Sequence, residues 1–158
     1  MKLSAALSKL KSLKSQLARV DNYVASSVVL YEGDTPEHVY MEEVENRRKL
    51  VNDIRALKGR IMATNVSTIV PVGDKTSNIA DLILLNAELR SELAHWTKLL
   101  GIKLDAEYTS RSKDDLKKVF AAGYDKKEIK AKISQLEKAK EQIDGLVAQA
   151  NMETTLVG

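Results

Sequence analysis

The residues of this chain that could do acid–base, metal or nucleophilic chemistry are few, and their spacing does not gather them. His38 and His95 are the only histidines, and they fall on different predicted helices, outside any His-x-x-x-His spacing that would set two zinc ligands on one face. Glu42, Glu43 and Glu45 are adjacent acids on a strongly charged stretch. Paired-carboxylate catalysis needs two such groups aimed into one pocket, and nothing in the pattern supplies one. Cysteine is absent, which removes disulfides, thiolate metal sites and a cysteine nucleophile. Neither a Gly-x-Ser-x-Gly elbow nor a phosphate-cradling glycine loop occurs. The chain therefore reads as a protein that is not an enzyme and that carries no cofactor and no metal.

Charge offers the next candidate surface. The 25 basic and 22 acidic side chains nearly balance at +3, but residues 1–20 hold Lys2, Lys9, Lys11, Lys14 and Arg19 and no acid. Such a run reads first as a solvated helix face; the alternative is a surface for phosphate or anionic lipid. A second basic group, Arg111, Lys113, Lys117, Lys118, Lys126, Lys127, Lys130 and Lys132, is interspersed with acids. With aromatics at only 4%, stacking platforms for bases are scarce, and nucleic acid is not the favoured partner.

These groups must be carried by helices. Four stretches place an apolar residue every third or fourth position over twenty or more residues. The first, over residues 2–25, sets Leu3, Leu10, Leu17 and Val24 at one heptad position and Ala6, Leu13 and Val20 at another, a coiled-coil-like seam. A second helix is predicted over 36–64, with Thr35 as cap and Pro36 at its first position. Arg47 interrupts its apolar stripe and is expected to snorkel to solvent. A third starts at Ser77 or Asn78 and ends at Gly101. In it Ile79, Asn86, Leu93 and Leu100 share one position and Leu82, Leu89 and Trp96 the other, with Ile83, Leu84 and Leu85 as a second apolar flank. That helix is expected to be the most buried. Asp125 caps the fourth, which runs to about residue 150.

Between these helices, residues 28–31, β-branched and aromatic, and residues 66–72, rich in valine, isoleucine and threonine, read as short β arms, and the tail after residue 150 reads as extended. Residues 101–124 form an irregular excursion, with a short helix predicted over 114–122. One internal echo stands out: Asn65-x-x-Thr68 and Asn151-x-x-Thr154 each follow a helix and precede a β-like piece. Each asparagine is expected to terminate its helix and bond into the following arm; a ligand site built by the two is the alternative. Asn86, amid leucines at a seam position, either fixes register and partner number, as a buried asparagine does in coiled coils, or faces a wet groove or a neighbouring backbone.

The chain resembles the septicolysin-like family of small bacterial helical proteins along nearly its whole length. The resemblance rests on Met1-Lys-Leu-Ser-Ala-Ala-Leu7, Glu32-Gly-Asp-Thr-Pro36, Ile61-Met-Ala-Thr-Asn65, Gly73-Asp-Lys-Thr76 and Gln149-Ala-Asn-Met-Glu-Thr-Thr-Leu156, in that order. Met152 stands where that family carries an aromatic. The family name suggests pore formation; the resemblance implies a fold and carries over no catalytic residue.

The sequence thus predicts a mainly α protein: one domain over residues 1–158, an antiparallel bundle of four long helices with short β arms or a hairpin. The absence of an export signal and of an apolar run of the roughly 20 residues needed to span a bilayer points to the cytoplasm. The expected function is structural or scaffolding, acting through self-assembly or a protein partner, with the seams of Leu3, Leu10, Leu17, Leu82, Leu89, Leu93 and Trp96 as oligomer faces. Membrane activity and nucleic-acid association are the alternatives.

Overall fold

A computed structural model describes residues 1–103 and 119–158. It is mainly α, with α1 over Leu3–Ser26, α2 over Tyr40–Ser67, strands β1 at Ile69–Val72 and β2 at Lys75–Asn78, α3 over Ile79–Leu100 and α4 over Lys126–Glu153. The strands pair antiparallel, from Ile69 opposite Asn78 to Val72 opposite Lys75. Gly73 turns the hairpin at φ 62°, a left-handed conformation that glycine reaches without steric cost. The chain divides into two compact units. One comprises Met1–Asp81 with Leu146–Gly158, the other Leu82–Gly145.

In the first unit α1 and α2 form an antiparallel helical hairpin. Arg47, near the start of α2, donates to Asp21 near the end of α1 at 2.7 Å. Arg47 is thus half exposed, reaching solvent as expected, and is ion-paired to a carboxylate there. The core of this unit lies under the opposite end of the hairpin. Leu3 and Ala6 at the start of α1, Ile61 and Thr64 late in α2, Val70 of β1, Ile79 at the start of α3, Ala150 late in α4 and Leu156 of the tail are all buried. Full burial of a side chain such as Leu3 or Ile79 contributes about 1.5–3 kcal/mol.

Three local expectations need correction. Residues 28–31 form no strand: Val28, Val29, Leu30 and Tyr31 are exposed loop and pair with no strand among the described residues. α2 begins at Tyr40, not at Pro36, and its N-terminal position, Val39, has no side-chain cap. Residues 36–39 are drawn out of the helix by His38, whose ring stacks on Tyr23 with centroids 3.9 Å apart and whose Nδ1 lies 3.1 Å from a Glu43 oxygen. The helices also outlast Asn65 and Asn151 by two residues each, ending at Ser67 and Glu153.

In the second unit α3 runs antiparallel to α4. The Asn86 side-chain amide donates to Asp144, and Tyr124 donates its hydroxyl to the Leu99 carbonyl at 2.5 Å. The starts of both helices follow the sequence. Asn78 accepts from the Asp81 N–H at 2.8 Å, and Asp125 accepts from the Lys127 N–H at 2.7 Å. The expectation that α3 is the most buried helix is overturned. Only Ile79 and Leu82 in its first turn are buried; Ile83, Leu84 and Leu85 are exposed, and Asn86, Leu89, Leu93 and Trp96 are half-buried. Three consecutive apolar residues sweep about 200° of a helix, more than one neighbouring helix covers. Residues 119–125 contain only a turn, around Gly123. The rest of the helix predicted over 114–122, like most of the 101–124 excursion, lies outside the described residues.

Candidate functional site

The residues with chemical potential stay dispersed. His38 is occupied by Tyr23 and Glu43. His95 stands three residues after Glu92, one half of a di-iron spacing, but it packs edge-on against Trp96, and the Glu92 carboxylate accepts the Trp96 indole N–H at 3.1 Å. Among the described residues no group of three or more His, Asp and Glu is placed to hold a metal ion. Of the basic face, Lys9, Lys11, Lys14 and Arg19 are exposed and belong to no salt bridge among the described residues. Lys2 is set apart: its ammonium caps the end of α4 through the Glu153 carbonyl at 2.6 Å. Leu3 and Leu82, expected on oligomer faces, are buried inside the chain, whereas Leu10 and Leu17 are half-buried on the α1–α2 hairpin.

Asn86 finds its partner within the chain. Asp144 on α4 accepts both its amide and the Lys140 ammonium. The Lys140 bond first, and then the Asn86 bond, hold the Asp144 carboxyl below the usual carboxylate range. The Asn86 oxygen is buried without a hydrogen-bond partner among the described residues.

The repeated Asn-x-x-Thr motif marks the most organised place in the first unit. The threonines, not the asparagines, end the helices. The Thr68 N–H closes on the Thr64 carbonyl at 3.0 Å and the Thr154 N–H on the Ala150 carbonyl at 2.9 Å, after which each chain turns extended. The Thr68 carbonyl then accepts from the N–H of Ile79, the first residue of α3, and the Thr154 carbonyl from that of Leu3, the first residue of α1. Beyond them Ile69 pairs with Asn78, and Thr155 pairs with Lys2 in an antiparallel bridge.

The two halves thus share one plan. Adding 86 carries the end of α2 and β1 onto the end of α4 and the tail; adding 76 carries the start of α1 onto the start of α3. Buried residues fall on buried residues: Leu3 on Ile79, Ala6 on Leu82, Leu57 on Ile143, Thr64 on Ala150 and Val70 on Leu156. Only the Asn-x-x-Thr echo was visible in the sequence. The rest was hidden because the matched positions share burial and backbone role but hardly any residue identity.

The plan breaks at one point. The Thr64 hydroxyl accepts the Val157 N–H at 3.1 Å, and Arg60 Nε donates to the Val157 carbonyl at 2.9 Å. The matching residues are Ala150, Pro71 and Leu146. Pro71 has no N–H, so Ala150 needs no hydroxyl; Leu146 has no donor, so the Pro71 carbonyl receives no hydrogen bond from the described residues. A groove of about 150 Å³ opens there, lined by residues 68–71 and by Leu146, Gln149, Ala150, Glu153 and Thr154. Gln149 donates to one Glu153 carboxylate oxygen at 2.9 Å. The groove is too small for a drug-sized ligand and large enough for the end of one side chain.

A mainly α protein built of two matched helical hairpins, its helix ends tied by short β pairs, is the class the architecture defines. The chain belongs to a family of unknown function, DUF6847, whose model matches residues 11–156. No curated protein matches it in sequence. The chain is similar to a functionally unknown conserved protein from Corynebacterium diphtheriae, known from a crystal structure, with a TM-score of 0.82, 23% identity and 99% of each chain covered. That likeness shows the fold.

Proposed function

We propose that this protein is a non-enzymatic scaffold that acts by association, pairing with a second copy of itself through the outer face of α3. The observation that carries this reading is the exposure of three consecutive apolar side chains, Ile83, Leu84 and Leu85, the middle one 63% exposed. A helix apolar on so wide an arc is ordinarily covered on more than one side, and α4 engages α3 through Asn86. Coiled-coil-like packing of α3 against its counterpart supplies the missing cover. The cytoplasm is the compartment this reading implies.

Light scattering tests it. The wild-type chain is expected as a dimer or larger at micromolar concentration, and Leu84→Glu as a monomer with unchanged helix content. A wild-type monomer at that concentration refutes the proposal. The resemblance to the septicolysin-like family favours a second reading, membrane activity of the exposed basic face of α1 around Lys9, Lys11, Lys14 and Arg19. No helix among the described residues is long and apolar enough to cross a membrane, so this reading concerns surface binding and disruption. Dye leakage from anionic liposomes, lost when the four residues are changed to Gln, tests it.

A further inference from the structure

The groove beside Pro71 is lined by Pro71 and Leu146, the residues that match Val157 and Arg60 in the other half of the plan. There, a guanidinium lies on a strand carbonyl, that of Val157. Here, the corresponding carbonyl of Pro71 is open, Leu146 replaces the arginine, and the lining adds what the other half lacks. Glu153 and Gln149 stand where the first half has Ser67 and Ala63. We propose that this groove is a binding site for a guanidinium group, as carried by an arginine side chain or a small guanidinium compound.

The electrostatics agree with a cation. α2 ends at Ser67 and α4 at Glu153, so two helix C-termini, each carrying negative partial charge, border the groove. Neither helix has a basic residue in its last turn. Lys2 reaches the Glu153 main-chain carbonyl but does not line the groove. The Glu153 carboxylate is steadied on one oxygen by Gln149, and its other oxygen accepts nothing from the described residues. A planar fork of N–H donors bonds a carboxylate and a neighbouring carbonyl together, which a single ammonium does less well. The apolar part of the lining, Val70, Leu146 and Ala150, suits the methylene stem of such a side chain.

The test is a titration of the 15N-labelled full chain, followed by NMR, with methylguanidinium, with methylammonium at the same ionic strength, and with an acetyl-Gly-Arg-Gly-amide peptide. The expected result is saturable shifts of the amides of residues 68–70 and 146–154 with methylguanidinium, and much weaker ones with methylammonium. Glu153→Gln should weaken binding about tenfold, since a charge-assisted bond is lost. Leu146→Arg should abolish it, because the new guanidinium would take the Pro71 carbonyl as that of Arg60 takes the Val157 carbonyl. A peptide that binds about tenfold tighter than methylguanidinium identifies a polypeptide arginine as the ligand; equal affinity identifies a small guanidinium compound, and either supports the site. Absence of saturable shifts, equal response to methylammonium, or unchanged binding in Glu153→Gln overturns it. Glu153→Gln keeps the test decisive if Leu146→Arg does not fold.

Discussion

Thr64 offers the sharpest test of how the end of the chain is held. Its side chain is fully buried, its hydroxyl donates to the Arg60 carbonyl at 2.8 Å, and the same oxygen accepts the Val157 N–H at 3.1 Å. Thr64→Val keeps the shape and deletes the acceptor. The Arg60 carbonyl stays bonded within its helix, so the loss concentrates on the Val157 N–H. A part-buried donor left without a partner costs about 1–3 kcal/mol, and partial access to water places this one near 1–2 kcal/mol. In a chain of this size that lowers Tm by about 2–8 °C. The matching half shows how the loss is relieved, since Ala150 there faces Pro71, which has nothing to donate. Val157→Pro alone should therefore be destabilising in the wild-type background and much less so beside Thr64→Val, with a coupling of about 1 kcal/mol in a double-mutant cycle. Thermal unfolding by circular dichroism gives the stabilities, and amide exchange at Val157 reports the bond itself. Strict additivity of the two substitutions, or an unchanged exchange rate in Thr64→Val, would refute the reasoning.

Other outcomes follow from the same geometry. Leu82→Ala should cost about 2–5 kcal/mol by opening a cavity, whereas Leu84→Ala, on the same helix but exposed, should stay within about 0.5 kcal/mol in urea unfolding at a concentration where light scattering finds the chain monomeric. Asn78→Ala removes the acceptor for the Asp81 N–H and should cost about 1 kcal/mol in the same assay. The Asp144 carboxyl is held below its ordinary value by Lys140 and Asn86, so its contribution is fully present above the unfolded-state value near ~4 and is lost as pH falls through the lower folded-state value. Wild type should therefore lose more stability than Asp144→Asn across that acid window; parallel pH profiles would show that the lock contributes nothing.

The helices were legible because periodicity and caps are local. The apolar period that runs through Leu3, Leu10 and Leu17, the cap at Asn78 and the cap at Asp125 each work through residues a few positions apart; the period falls on α1, and the two caps mark the helix starts they announced. The start of α2 was not legible, since the stacking of His38 on Tyr23 joins residues from opposite sides of a loop and outweighs the weak preference of Thr35 and Pro36 for a helix start. Residues 28–31 have strand composition but pair with no strand among the described residues, and β-propensity without a partner forms no strand.

By itself the sequence determined a mainly α chain with four long helices, a short β piece before Gly73 and a repeated Asn-x-x-Thr motif, because these depend on spacings within a turn or two. Only the tertiary structure decided that Thr68 and Thr154 end their helices, that Lys2 and Thr155 meet, that Arg60 donates to the Val157 carbonyl and that a groove opens at Pro71. Those contacts join residues far apart in sequence: Lys2 and Thr155 are 153 positions apart, and Met1 and Leu156, whose main chains are hydrogen-bonded, 155. No local pattern encodes which backbone groups will find each other over such distances; that choice belongs to the packing of buried side chains around them.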